Sequence, residues 1–331
     1  MPPGKFAVSV WAHVATSVSI PVNRGAVRFR YTVNQQRHMK VLVHHWDAFA
    51  HEAGKGNPAG IVAHDRELTD DAMQAIAARI GFNDTAFVLA SAAADLRLRY
   101  FAPRHEVDLC GHATIAAFCA LQSMGRLPQR SVHRLETRSG ILPIEVTSAN
   151  GVTRIVMTQS NARFDAYRGD RASLAHALGI GVTDFHETLP IVYGSTGRWT
   201  LVTPVRDLQT MQAMQPIQAE FDAVLAQVPG ASIHPFCLQT LRSAAKMHAR
   251  HFSPAASGTL EDAVTGTASG VLAANYRRFI DDRVEQPLTV EQGYEMGREG
   301  TVQAWAMKQA DAYAVRIAGG ACYVRDIEVS I

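Results

Sequence analysis

Cys110-Gly111-His112-Ala113-Thr114-Ile115-Ala116-Ala117-Phe118-Cys119-Ala120-Leu121-Gln122-Ser123-Met124 is the stretch on which the fold turns. Ile115, Ala116, Ala117, Phe118, Ala120, Leu121 and Met124 leave the predicted Gly111–Met124 helix no broad polar face. A helix that is apolar almost all round has to be buried on every side. It falls short of the ~20 residues that a bilayer demands. The expected setting is therefore the inside of the protein, with sheet wrapped around the helix.

Outward from this segment the pattern alternates strands and short helices. Val41 to Trp46 reads as a first strand and Gly54 to Gly60 as a Gly/Pro turn. Thr69 to Ile80 has a capping-type start and helical spacing at Met73, Ile76, Ala77 and Ile80. Strands are expected at Thr85–Leu89, at Leu96–Phe101, near Leu135, at Leu142–Val146 and at Thr153–Thr158.

The second half repeats the theme. Phe101-Ala102-Pro103 leads through Glu106 and Asp108 into Cys110-Gly111-His112-Ala113-Thr114. Phe252-Ser253-Pro254 leads through Glu261 and Asp262 into Thr265-Gly266-Thr267-Ala268-Ser269, then Val271, Leu272, Ala273, Ala274 and Tyr276. Two Phe-x-Pro units, each followed by an acid and a glycine that opens a small-residue helix, indicate an internal duplication.

Composition narrows the function. The chain has 331 residues, 47% hydrophobic and 19% charged, enough for two ordinary cores. A net charge of +2 with scattered Lys and Arg gives no footprint for nucleic acid or an anionic membrane. No run of about 18 apolar residues suggests a membrane span. Four separated cysteines and 14 dispersed histidines show neither a disulfide framework nor metal-ligand spacing. We expect no metal, a small-molecule substrate and a reduced, cytoplasmic setting. Met1 to Lys40 carries Lys5, Arg24, Arg28, Arg30, Arg37 and Lys40 with no acidic residue. Its broken apolar run argues against a signal peptide. It reads as an extension outside the fold, disordered or wrongly assigned, with Met39 as the alternative start.

A helix N-terminus leaves backbone N–H groups unpaired and carries partial positive charge. Gly111 and Gly266 would let a ligand approach that backbone. Two such tips facing each other suit a carboxylate, and the negative charge that develops when a proton leaves the neighbouring carbon. The acid and base must then come from groups whose pKa values burial can tune. Asp84, His112 and Asp262 are the candidates, with Gly111, Gly266, Thr267, Asn57 and Cys110 as candidate binding residues. Each also has a structural reading. Asp84 could be a turn residue, Asp262 could N-cap its helix, and His112 could be satisfied by a backbone carbonyl. Cys110 could be a small buried hydrophobe, and Asn57-Pro58-Ala59-Gly60 a plain turn.

The sequence resembles the phenazine biosynthesis PhzF-like isomerases, in the diaminopimelate epimerase-like superfamily, from about Lys40 to Ile331. The resemblance rests on Asp47-Ala48-Phe49, Gly56-Asn57-Pro58-Ala59-Gly60, Asp84-Thr85-Ala86-Phe87-Val88 and Arg99-Tyr100-Phe101-x-Pro103. It continues through Glu106 to Thr114, Phe252-Ser253-Pro254, Glu261-Asp262-x-x-Thr265-Gly266-Thr267-Ala268 and Gly293-x-x-x-Gly297-Arg298-x-Gly300. It implies an α+β fold of two pseudo-symmetric domains, each a curled, mostly antiparallel, barrel-like sheet around a central helix. The expected domains are 40–160 and 161–315, after the 1–39 extension, with a final strand near 315–331 returning to the first. It also implies cofactor-independent isomerase chemistry in the cleft, and a homodimer.

By that resemblance the family's acid/base glutamate falls on Asp84, its histidine on His112, its cleft aspartate on Asp262 and its helix-start serine on Thr267. Glu to Asp shortens the arm by one methylene, and a misplacement of about 1 Å can cost on the order of 100-fold in rate. Phenazine synthesis itself is therefore not implied. Related two-base racemases place a cysteine before the glycine in each half, but here Thr265 stands opposite Cys110, so a two-thiol mechanism is rejected. The expected activity is a proton shift on a small carboxylate-bearing metabolite. The alternatives are a lyase, dehydratase or epimerase of the same fold, or a protein that only binds a metabolite.

Overall fold

Buried on every side, the Gly111–Ser123 helix has each residue from His112 to Leu121 out of solvent, and Met124 closes its C-terminus. The computed structural model describes residues 39–63, 67–149, 151–310 and 312–331. The expectations for the basic leader lie outside the described residues. Strands Lys40–Ala48, Asn57–Val62, Asp84–Leu89, Val152–Thr158 and Ala321–Ser330 all touch this helix, so the sheet curls around it. The Gly266–Phe279 helix is buried in the same way from Ala268 to Tyr276. It packs against strands Val192–Ser195, Trp199–Pro204, Gly300–Gln309 and Ala312–Gly319.

The two curled sheets share one plan. In the first half the order is Ala321–Ser330, Lys40–Ala48, Asn57–Val62, Asp84–Leu89, Leu96–Phe101, Val132–Thr137, Gly140–Ala149, Val152–Thr158. In the second it is Arg163–Ala166, Val192–Ser195, Trp199–Pro204, Ser232–Cys237, Met247–Ala249, Leu288–Gln292, Gly300–Gln309, Ala312–Gly319. Both run antiparallel, antiparallel, parallel, antiparallel, parallel, antiparallel, antiparallel along these lists. Val152–Thr158 pairs antiparallel with Ala312–Gly319 and joins the halves into one continuous sheet. The fold is α+β and built as a pseudo-symmetric pair, with the chain's last strand returning beside Lys40–Ala48.

Ladder register makes the duplication explicit, residue against residue. Ala59 faces Asp84 as Thr200 faces Ser232. Thr85 faces Phe101 as Ile233 faces Phe252. Arg97 faces Glu136 as His248 faces Glu291, and Thr137 faces Gly140 as Gln292 faces Gly300. A one-residue slip would send every side chain to the opposite face of a sheet, so a shared register means shared side-chain directions.

One local expectation is corrected. Asn57 to Gly60 is not a turn but the start of strand Asn57–Val62. The chain reverses earlier, and Gly56 makes that possible. Its φ is +64°, and a Cβ there would lie 2.3 Å from the Ala48 carbonyl oxygen. Arg298 locks the reversal, donating from Nε to the Gly56 carbonyl at 2.9 Å and from Nη2 to Asp47 Oδ1 at 2.7 Å. Burial alone would raise the Asp47 pKa, but His45, the Gly54 N–H and Arg298 together hold it below the usual carboxylate range.

Candidate active site

Asp84 opens its strand beside Asn57–Val62, in parallel register with Ala59. That position aims its carboxyl at the start of the Gly111–Ser123 helix. Cys110 Sγ donates to Asp84 Oδ2 at 3.2 Å, and His112 Nδ1 lies 3.3 Å from the same sulfur. His112 Nε2 stands 3.9 Å from Asp84 Oδ2, with the two side chains only 10% and 15% exposed. Burial pushes the Asp84 carboxyl above its ordinary value, and Asp262 adds to that. His112, the Cys110 thiol and Arg198 pull the other way without cancelling it. Burial, reinforced by Asp84, drives the Cys110 thiol well above its usual range. A thiol so placed is a proton donor, not a ready thiolate.

Asp262 reaches the site from the second half and is gripped by the first. Its Oδ1 accepts from Asn57 Nδ2 at 2.8 Å and from Asn83 Nδ2 at 3.1 Å. Its Oδ2 accepts from Thr265 Oγ1 at 2.5 Å. The capping alternative for Asp262 is thereby set aside, because Thr265 is the N-cap residue and Asp262 bonds its hydroxyl. Gln292 steadies this corner, donating to the Asp262 carbonyl at 2.8 Å and accepting from the Thr265 N–H at 3.1 Å.

The two helix tips meet here. A Cβ on Gly111 would lie 3.9 Å from Thr267 Oγ1. Helices Asp70–Ile80, Arg171–Leu178 and Leu208–Ala213 each begin with a side-chain cap from Thr69, Asp170 or Asp207. Neither Cys110 nor Thr265 caps its helix in that way. The Gly111 and Gly266 tips thus lack the side-chain cap that those three helices carry, and N–H groups free of such a cap are what an anion site uses.

Thus Asp84, His112, Cys110, Asp262, Asn57, Gly111, Gly266 and Thr267 all fall in one region between the halves. Reasoning from the sequence missed Asn83 and Gln292, whose roles depend on partners far along the chain. It also missed a pair of clamps. Arg99 forks onto Glu106 at 2.7 and 2.8 Å, and Arg250 onto Glu261 at 2.9 and 2.8 Å. Each guanidinium also lies over the phenylalanine two residues on, Phe101 or Phe252. The repeated Arg-x-Phe-x-Pro was the signal that could have found them.

Asp84, Cys110 and His112 also offer an oxygen, a sulfur and a nitrogen within 4.8 Å of one another, a donor set that suits a zinc-like ion. The carboxyl and thiol are both shifted towards their protonated forms, so such an ion would have to displace protons to bind.

Residues 46–326 match the family described as phenazine biosynthesis-like protein, PhzC-PhzF. The uncharacterized isomerase YfhB of Bacillus subtilis is 43% identical over 278 residues, covering 84% of this chain and 94% of that protein. The trans-2,3-dihydro-3-hydroxyanthranilate isomerase of Pseudomonas chlororaphis is 30% identical over 278 residues, covering 81% of this chain and 92% of that one. Among solved structures, the phenazine biosynthesis protein of the PhzF family from Bacillus anthracis superposes with a TM-score of 0.86 at 44% identity. It covers 88% of this chain and 100% of its own. Among the described residues no helix is long and apolar enough to cross a membrane. The chain belongs to the phenazine biosynthesis-like PhzC-PhzF family and is an isomerase of that family.

Proposed function

We propose that this isomerase moves a proton between carbons of a small carboxylate-bearing metabolite, without a cofactor, and that Asp84 is the group that removes and returns it. The observation that carries the reading is the half-buried Asp84 carboxyl, raised in pKa and set beside two uncapped helix tips. Ionised Asp84 takes a proton from a substrate carbon. The electron pair left behind is delocalised towards the substrate carboxylate, which the N–H groups at Gly111 and Gly266 and the Thr267 hydroxyl hold. Protonated Asp84, whose carboxyl proton can exchange with water between the two transfers, then gives a proton to a second carbon, and no net charge or atom is left over. His112 and Asp262 orient the substrate and keep this protonation pattern. A carboxyl lifted above its ordinary pKa is a stronger base when ionised and holds the proton it has taken more readily than a free carboxyl does.

The relative named for trans-2,3-dihydro-3-hydroxyanthranilate makes that compound the first substrate to try, although the shorter arm of Asp84 favours a differently placed one. A screen of cyclic and amino-acid metabolites in heavy water, followed by NMR, would reveal the substrate as deuterium uptake at carbon. Asp84→Asn should slow the uptake by orders of magnitude and Asp84→Glu should alter its rate. Should Asp84→Asn exchange as fast as the wild type on a confirmed substrate, the assignment fails.

A second reading is favoured by one contact, the Cys110 thiol on Asp84. There Cys110 and a carboxylate would share an epimerisation. Cys110→Ala separates the two, since Asp84-centred isomerisation should survive it with turnover largely intact.

A further inference from the structure

A cavity of about 420 Å³ opens in the second half, with Arg198, Trp199, Ser232, His251, Thr265 and Thr267 in its wall. The shared register says what it corresponds to. Ser232 stands where the first half has Asp84 and, counting two residues back from Thr200 and Ala59, Arg198 stands where it has Asn57. His251 precedes Phe252 as Tyr100 precedes Phe101. Thr265 and Thr267 flank Gly266 as Cys110 and His112 flank Gly111. The cavity is the twin of the Asp84–Cys110–His112 site, with each acid, thiol or imidazole of that trio replaced by a hydroxyl.

The differences make the twin a place to hold a ligand. Tyr100 spends its hydroxyl on Thr114 at 2.6 Å inside the first half. His251, only 9% exposed, bonds His234 through Nδ1 at 3.1 Å, and among the described residues its Nε2 has no protein partner. Burial drives the His251 pKa down to about 4, so near neutral pH it is an uncharged hydrogen-bonding group. Arg198 is exposed at the cavity and pairs with no carboxylate among the described residues, yet it lies close enough to Asp84 to act on its charge. The cavity therefore adjoins the acid/base site and holds one cation without a counter-ion.

We infer that this cavity is a second substrate subsite, in which Arg198 binds an anionic group remote from the reacting carbon while His251 Nε2 and the Ser232 hydroxyl hydrogen-bond the part between. The substrate is then a dianion, with one carboxylate on the helix tips and a second anionic group, carboxylate or phosphate, on Arg198. The placement of the first carboxylate rests on the reading of Asp84 given above.

Calorimetric titration of the full chain tests this without turnover. The probes are the straight-chain dicarboxylates from succinate to pimelate, each with the monocarboxylate of equal carbon number, and matching ω-phosphono carboxylates. At least one dianion should bind tenfold or more tightly than its monocarboxylate. Arg198→Ala should shrink that preference below threefold and leave monocarboxylate binding within twofold, while Arg198→Lys should restore most of it. Whether the dicarboxylates or the phosphono acids lead identifies the second group. If no dianion is preferred, or if Arg198→Ala leaves the preference intact, the subsite does not exist. Asp84→Asn should keep the preference. A dianion preference lost with Arg198 but proton exchange indifferent to Asp84 would overturn only the acid/base reading, and the reverse result only the subsite.

Discussion

The halves built around Gly111–Ser123 and Gly266–Phe279 agree wherever the fold is at stake and disagree where chemistry is. Both keep the strand senses, the arginine–glutamate clamp stacked on a phenylalanine, and a hydroxyl on the first helical turn that donates back to the residue before the glycine. That bond is Thr114 to the Cys110 carbonyl at 2.7 Å, and Ser269 to the Thr265 carbonyl at 2.9 Å. Asp84, Cys110 and His112, however, face Ser232, Thr265 and Thr267 across the repeat. A duplicated scaffold can keep its packing rules in both copies while one copy carries an acid, a thiol and an imidazole at three positions where the other carries hydroxyls. Asymmetry of this kind suits one acid/base group that both takes and returns a proton, where two opposed bases would suit a racemase.

The largest effect should come from the position where the halves differ most. Asp84→Asn is expected to slow exchange by about 10²–10⁴-fold, as loss of a general acid/base does. Ser232→Ala should stay within about tenfold of wild type, the order of one neutral hydrogen bond. Comparable losses would dissolve the division of labour. Stability should move the other way for Asp84→Asn. The folded state holds the Asp84 proton more tightly than the unfolded chain, so stability falls as pH rises from 3.8 towards the raised value. The variant escapes that loss, and urea denaturation at neutral pH should find it no less stable than wild type.

Next come the clamps. Arg250 is 8% exposed and spends its other donors on the Met211 and Met214 carbonyls, whereas Arg99 has Asp70 as a second carboxylate. Glu261→Gln should therefore cost about 3 kcal/mol, since it strands a buried cation. Glu106→Gln should cost about 1 kcal/mol, because Asp70 remains. Equal midpoints in urea would show that the clamps are energetically alike.

The helix-opening glycines offer a finer contrast. A Cβ on Gly266 would lie 2.8 Å from Ile317 Cδ1 and 2.9 Å from Phe49 Cζ, and Phe49 is itself held at φ 61°. One on Gly111 meets nothing nearer than Thr267 Oγ1 at 3.9 Å. Gly266→Ala should cost about 1–3 kcal/mol in overpacking. Gly111→Ala should leave the melting midpoint almost unchanged and weaken substrate binding instead.

Smallest is a pH effect confined to the second half. His248 stands where the first half has Arg97, and it bonds Glu291 and Glu295, each at 2.9 Å. Burial opposes its charge, but the two carboxylates outweigh burial and raise its pKa to about 8. Its contribution is complete below the unfolded value of 6.5 and is lost as pH rises through about 8. That amounts to about 2 kcal/mol at most. His248→Gln should be less stable than wild type at pH 6 and converge with it at pH 9. A constant gap would mean the imidazole is neutral throughout.

Much of this is legible in the order of the residues. The apolar run from Ile115 to Leu121 announces a wrapped helix because burial on every side leaves no polar periodicity. The paired Phe-x-Pro and Gly-x-Ala units announce the duplication, and Asp84, His112 and Asp262 do gather in one place. The turn expected at Asn57–Gly60 was misplaced because Asn-Pro and Gly carry strong turn propensity, which pairing with Lys40–Ala48 and Asp84–Leu89 overrides. Asn83 and Gln292 stayed invisible because each is polar in a way that fits any loop, and each finds its partner only in the folded chain.

Sequence alone determined that two glycine-opened, apolar helices must be enclosed by sheet, since hydrophobic pattern and backbone freedom are local properties of the chain. Only tertiary structure decided that Asn57 and Asn83 grip Asp262 across the halves, and that Ser232 occupies the position of Asp84. Those facts follow from strand register, and register is set by pairing between distant segments, which no local run of residues encodes.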